Sequence, residues 1–237
     1  MHQQQGKENL ELLSSQDAFN DWMFEEIAPF VKGSVLEVGS GIGNFSQKLL
    51  DLKKGRVIVS DFDGHYLDLL KKKFSANNRV SVAKLDLNNS ADFKRIGENK
   101  VDSIVCLNVL EHVRDDLAAL NNMKNVVSKG GRVIILVPAH KWLFNSIDEA
   151  IFHKRRYTKK ELQALGHQSG MKLVRLHYFN FFSIFGWILS GHILRKKGPS
   201  KKGLSALNFL VPAIKSFEKI VLRRKLGLSL IAVYEKQ

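Results

Sequence analysis

Cysteine is almost missing from this 237-residue chain: the single one, Cys106, lies in the apolar run VDSIVCLN. With no second thiol there is no disulfide framework, so a core built by burial and a reducing, cytoplasmic setting are expected. The opening MHQQQGKENLELL lacks the apolar centre and small-residue cleavage site of a secretory leader. The polar segment 1–15 is therefore set apart from one domain over 16–237, since a chain this long supports one substantial core and does not require two. Acids are the other shortage. From His153 onward 18 Lys and Arg meet only Glu161, Glu218 and Glu235, whereas residues 1–152 are nearly balanced, 19 basic to 20 acidic. The net charge of +14 thus belongs to the last third of the chain. Its possible partners are nucleic acid, anionic lipid or an acidic substrate.

What is present is a repeated alternation of short β-branched runs and amphipathic segments. Residues 16–31 space Phe19, Trp22, Met23, Ile27 and Phe30 by threes and fours, a helix that Pro29 and Gly33 end. Strands are expected at 34–38, RVIVS, RVSVAKL, VDSIVCLNVL and GRVIILVP, with helices at NFSQKLLDL, YLDLLKKKF and LAALNNMKNVV. KELQALGHQSG and MKLVRLHYF add a helix and a strand, and GLSLIAVYEK closes the chain as another. This order predicts an α/β, doubly wound, Rossmann-like fold with a mostly parallel sheet and helices on both faces.

In such sheets ligands bind beyond the carboxyl ends of the strands, where a Gly-rich turn lets backbone approach them. Here that turn is Glu37-Val38-Gly39-Ser40-Gly41-Ile42-Gly43, and its glycine spacing is one residue short of the dinucleotide-binding pattern. Asp61 directly follows the second strand, where a carboxylate can accept hydrogen bonds from two ribose hydroxyls; Asp86 follows the third in the same way, where one suits an amino group. Each alone could equally cap a helix. Together, at successive strand ends beside the turn, they are more specific.

The series VLEVGSGIG, VIVSD, LDL, CLNVLEHV and GGRVIILVP resembles class I S-adenosylmethionine-dependent methyltransferases of the type 11/12 kind, over roughly residues 16–180 and the last strand. The resemblance implies seven strands with the last inserted antiparallel, and S-adenosylmethionine as cofactor. It further implies Glu37, Gly39, Ser40, Gly41 and Gly43 at the methionine moiety, Asp61 and Phe62 at the ribose, Asp86 and Leu87 at the adenine, and Asn108 lining the pocket. Ubiquinone-type O-methyltransferases are similar at CLNVLEHV but carry an acid where this chain has Asn108, which argues against a bound divalent metal.

Methyl transfer to a weakly acidic acceptor needs positioning and a base. His112, expected with Glu111 to open a helix, and His153 are the candidate catalytic residues; a packed or capping His112 is the bland alternative. In HKRRYT, Thr158 and Glu161 form a capping box, and Arg155, Arg156 and Tyr157 are either an anion site for the acceptor or a solvated basic turn. The DxxxxHxRRYT arrangement resembles bacterial methyltransferases associated with cell-envelope glycans and lipids.

Before the last strand stand about 45 residues where a short connection would suffice, an expected helical insert at about 181–226. It holds Phe181, Phe182, Phe185, Trp187, Ile188 and Leu189, then Arg195-Lys196-Lys197, then a second helix with a basic end. Its apolar run is too short, with Asn180 and His192, for a bilayer span. Two readings stand: contact with an anionic membrane surface at the inner face of the membrane, or a cover for the acceptor pocket or a dimer interface. A small-molecule or lipid-linked acceptor, methylated on oxygen, is the favoured substrate. Nucleic acid has only the net charge in its favour, and a non-catalytic cofactor-binding subunit is the third possibility.

Overall fold

The computed structural model describes residues 16–53, 55–98, 100–198 and 201–237; the polar segment 1–15 lies outside them. Helix α1, Asp17–Ile27, buries Trp22, Met23 and Ile27, and Pro29 in the following 3-10 turn ends it. Strand β1, Val35–Val38, is buried throughout. Then come α2, Asn44–Asp51; β2, Val57–Asp61; α3, Gly64–Lys73; β3, Val80–Lys84; and α4, Ser90–Ile96. They are followed by β4, Val101–Leu107; α5, Asp116–Val126; β5, Val127–Pro138; α6, Ser146–Ala150; and α7, Lys159–Gln168. Strand β6, Lys172–Phe179, leads into α8, Ser183–Trp187, which continues as a π-helical turn over Ile188–Ile193. Helix α9, Lys201–Ile220, and β7, Ser229–Glu235, complete the chain.

The seven strands lie in the order β3-β2-β1-β4-β5-β7-β6. β1 pairs in parallel with β2 and β4, and β4 with β5, while β7 runs antiparallel to both β5 and β6. This is the doubly wound architecture expected, with a helical insert ahead of the last strand. Alternation along the central strands feeds two cores. In β5, Val133, Ile135 and Val137 face one side with Leu120 and Met123 of α5, while Ile134 and Leu136 face the other with Trp22 and Ile27 of α1. Each such side chain contributes roughly 1.5–3 kcal/mol by leaving water, so the middle of the sheet, where both faces are covered, is the rigid base for the site.

Three local expectations change. Helix α4 was not anticipated, because SADFKRI offers only Phe93 and Ile96 as a thin apolar stripe; Asn89 caps it by accepting from Ala91 N–H. β5 begins at Val127 instead of Gly131: its ladder skips between Val101 and Ser103, and a side chain at Gly131 would strike Asp102 O at 2.8 Å. Glu111 and His112 do not open a helix. They occupy a 3-10 turn, Leu110–His112, and α5 starts afterwards because Asp115 accepts from Ala118 N–H at 2.8 Å.

Because β1 is flanked by β2 on one side and β4 on the other, successive connections leave in opposite directions and open a crevice at the carboxyl ends of β1 and β4. The insert also begins at the carboxyl end of a strand parallel to these, β6.

Candidate active site

The Gly-rich turn after β1 is held open by backbone geometry. Gly39, Gly41 and Gly43 have φ of +73°, +53° and +78°, conformations that side chains resist. A Cβ at Gly39 would sit 2.5 Å from Val109 Cγ2, so the turn and the segment after β4 are in direct contact. Ser40 N–H donates to Ser60 O at 2.8 Å and Ser60 N–H to Ser40 Oγ at 3.1 Å, stitching the turn to β2. Lys73 Nζ, at the end of α3, donates to Ile42 O and Gly43 O at 3.0 and 2.8 Å.

Two carboxylates complete this end. Asp61, 5% exposed, accepts from Gly41 N–H and Asp63 N–H, each at 3.0 Å, and burial raises its pKa in spite of these donors. Glu37 is buried and accepts from Ser40 Oγ at 2.9 Å and from Ser46 Oγ. Burial pushes its carboxyl up to about 7 against the pull of the two hydroxyls. An acid held this way can exchange its proton for a cationic partner near neutral pH.

At the far side of the crevice four side chains converge from the 3-10 turn after β4 and from α6 with the loop that follows it. His153 Nδ1 lies 2.8 Å from Asp148 Oδ1, and its Nε2 is 3.5 Å from Glu111 Oε1. His112 meets the His153 ring edge-on at 4.8 Å between centroids, and its own Nδ1 lies 3.2 Å from Phe152 O. Burial, then the neighbouring His153, pushes His112 down to about 4. Asp148 belongs to the capping box of α6, and Lys154 N–H donates to Glu111 O at 2.9 Å, locking the two loops together.

Residues 36–133 match the profile of a methyltransferase domain family. With that domain set in the class I fold, the chain is an S-adenosylmethionine-dependent methyltransferase. It is 29% identical over 203 residues to an uncharacterized protein of Methanocaldococcus jannaschii, spanning 79% of this chain and 81% of that one. It is 30% identical over 115 residues to a tRNA U34 carboxymethyltransferase of Campylobacter fetus, 47% of this chain and 40% of that protein. In fold it is similar to a SAM-dependent methyltransferase from Archaeoglobus fulgidus, with a TM-score of 0.63 and 15% identity over 94% of this chain and 95% of the other. Its cofactor is S-adenosylmethionine. The three positive-φ glycines, the space closed to a Cβ at Gly39 and the two buried carboxylates suit such a ligand.

Within the methyltransferase, Glu37, Gly39, Ser40, Gly41, Gly43 and Asp61 share one turn and its bonds to β2. Phe62 stands beside them, 70% exposed. Asn108 is exposed at the end of β4 with φ +53°, its N–H donating to Leu136 O at 2.8 Å. Asp86 and Leu87 follow β3: the Asp86 carboxylate is turned onto Asn88 N–H at 2.8 Å, and Leu87 is in the core. Arg155, Arg156 and Tyr157 are not gathered into an anion cradle. Arg155 reaches Asp116 and Arg114 O, Arg156 is buried on Asp148 and Ala139 O, and Tyr157 Oη donates to Leu110 O at 3.3 Å. Ser46, Ser60 and Lys73 escaped the sequence reading. Ser46, in the turn of helix that follows Gly43, offered a signal; Lys73, thirty residues along, offered none.

Proposed function

We propose that this methyltransferase O-methylates a hydrophobic acceptor, either lipid-linked or carried on an envelope glycan, that the insert delivers to the carboxyl end of β4. One connected set of contacts carries the reading. Trp187 of the insert packs against the Arg156 guanidinium at 4.7 Å, Arg156 pairs with Asp148, and Asp148 orients His153. The aromatic insert is thus built into the wall directly behind the histidine cluster.

S-adenosylmethionine supplies an electrophilic methyl group. Asp61 and Phe62 are assigned to its ribose, Glu37 and the turn from Gly39 to Gly43 to its methionine end, Asp86 and Leu87 to its adenine, and Asn108 to the pocket wall. Asp148 behind Nδ1 leaves Nε2 of His153 as the lone-pair end, 3.5 Å from Glu111 Oε1, with the His112 ring edge-on beside it. The acceptor's hydroxyl proton leaves at this cluster, His153 acting as the base and His112 helping to shape the site.

No helix among the described residues is long and apolar enough to cross a membrane. The insert instead leaves Phe185, Leu189 and Ile193 exposed at helical spacing, followed by exposed Arg195, Lys196 and Lys197. Apolar side chains bordered by cations favour the interface of an anionic bilayer over a second copy of this equally basic chain. A peripheral position at the cytoplasmic face of a membrane fits an acceptor with a lipid tail.

The test is incubation with methyl-labelled S-adenosylmethionine and either a bacterial lipid extract or total RNA. Label in an alkali-stable, chloroform-soluble product supports the proposal. Label in RNA alone would replace it with the second reading, which the similarity to a tRNA-modifying enzyme favours.

A further inference from the structure

Glu111 presents a buried carboxylate with no donor. The side chain is 0% exposed, and neither oxygen accepts a hydrogen bond. An ionised group left in that state is costly unless a cation completes it. The nearest candidates for company are two imidazoles whose outer nitrogens are already committed. His153 Nδ1 faces the Asp148 carboxylate at 2.8 Å and His112 Nδ1 faces the carbonyl of Phe152 at 3.2 Å. Both partners are acceptors, so both Nδ1 atoms carry a proton, and in the neutral rings both Nε2 atoms offer a lone pair. An imidazole backed by a carboxylate or carbonyl is the arrangement that fixes a histidine for metal ligation.

From this geometry we infer that Glu111, His112 and His153 form a binding site for one divalent first-row transition metal of the Zn²⁺, Co²⁺ or Mn²⁺ class. Their ligand atoms all lie within 4.8 Å of one another. Two ligands about 2.1 Å from one tetrahedral ion stand roughly 3.4 Å apart, and Glu111 Oε1 and His153 Nε2 are at 3.5 Å. Two nitrogen donors and one carboxylate favour a transition metal over Mg²⁺ or Ca²⁺. Three protein ligands leave a position open for an acceptor oxygen.

The site does not need an acid at position 108. His153, brought from the loop after α6 by Asp148, supplies the third donor in place of that acid. The inference rests on the proposed acceptor role of this cluster and changes how it works. With the ion bound, a hydroxyl on it would lose its proton to water near neutral pH and His153 would serve as ligand; without the ion His153 keeps the role of base.

Titration with Co²⁺, followed by visible absorption and by calorimetry, tests this on the full chain, with S-adenosylhomocysteine titrated into the same samples. The expected result is one Co²⁺ per chain at micromolar affinity, displaced by Zn²⁺ and weakened at least tenfold in each of Glu111→Gln, His112→Ala and His153→Ala. Each variant is to be used only where its circular dichroism and homocysteine-ligand binding match wild type; Glu111→Gln, isosteric and relieved of its charge, keeps the test available if the others fail to fold. Normal S-adenosylhomocysteine binding without Co²⁺ binding, or Co²⁺ binding that survives loss of His153, overturns the metal site and leaves a proton shared between Glu111 and His153. Absence of S-adenosylhomocysteine binding would instead strike the cofactor assignment, a separate failure.

Discussion

Arg156 and Asp148 are joined inside the protein, with Arg156 Nε 2.9 and 3.0 Å from the two carboxylate oxygens and side-chain exposures of 1% and 0%. The pair stands between the insert and the histidine cluster, with Trp187 on one side and His153 on the other. An arginine in HKRRYT that looked ready for an acceptor's anion is therefore a structural ion-pair partner.

Arg156→Met removes the guanidinium and strands a buried carboxylate, so a loss of about 3–5 kcal/mol in stability is expected. Urea denaturation measures it. A variant as stable as wild type, with only its acceptor KM raised, would return Arg156 to the substrate site.

Asp61→Ala removes the acceptor for Gly41 N–H and the carboxylate assigned to the ribose. Losing charged hydrogen bonds worth about 1.5–3 kcal/mol should weaken S-adenosylhomocysteine by at least tenfold in calorimetry. Unchanged affinity would exclude Asp61 from the cofactor site.

Glu37 gives a pH signature. Its carboxyl titrates at about 7 in the cofactor-free protein, mainly because it is buried. If the cofactor's ammonium sits against it, binding favours the ionised form, so affinity should rise about tenfold per pH unit up to neutrality and level off above. The stability of the free protein carries the opposite sign. Its folded pKa lies above the ordinary value of 4.5, so this group's contribution is full below about 4.5 and lost as pH rises through 7. Glu37→Gln should flatten both curves, as calorimetry and thermal melts at pH 6 to 8 would read.

Flotation with vesicles rich in phosphatidylglycerol examines the insert. Wild type should rise with the vesicles at low salt and less so as salt screens the basic rim. The triple change Phe185→Ser, Leu189→Ser, Ile193→Ser alters only exposed side chains and should abolish flotation without changing the melt. Equal flotation would remove the membrane from the proposal. Phe181, Phe182 and Trp187 are poorer probes than their sequence suggests, because they pack against Leu143, Ile184 and the sheet.

The cofactor half was readable because its signals are local. Gly39 to Gly43 occupy one turn, Asp61 ends a strand with visible alternation, and the whole series lies within a few residues of strand ends that hydrophobic period alone places. Backbone conformation, glycine requirement and strand polarity are short-range properties that adjacent residues specify. Thin elements such as α4 were hidden, since seven residues with two apolar positions carry no period.

The acceptor half depended on the folded chain. Glu111 and His112 sit after β4 and His153 after α6, and nothing in their spacing says that a carboxylate and two imidazoles meet. Nor could composition tell that Arg156 turns inward while Phe185 turns out, because both outcomes depend on which neighbours exclude water. The alternation of strand and helix in these 237 residues was enough to specify the sheet and its Gly-rich turn. The histidine cluster, the buried ion pair behind it and the exposed face of the insert arise only when loops distant in sequence pack together, since burial and side-chain pairing are long-range quantities.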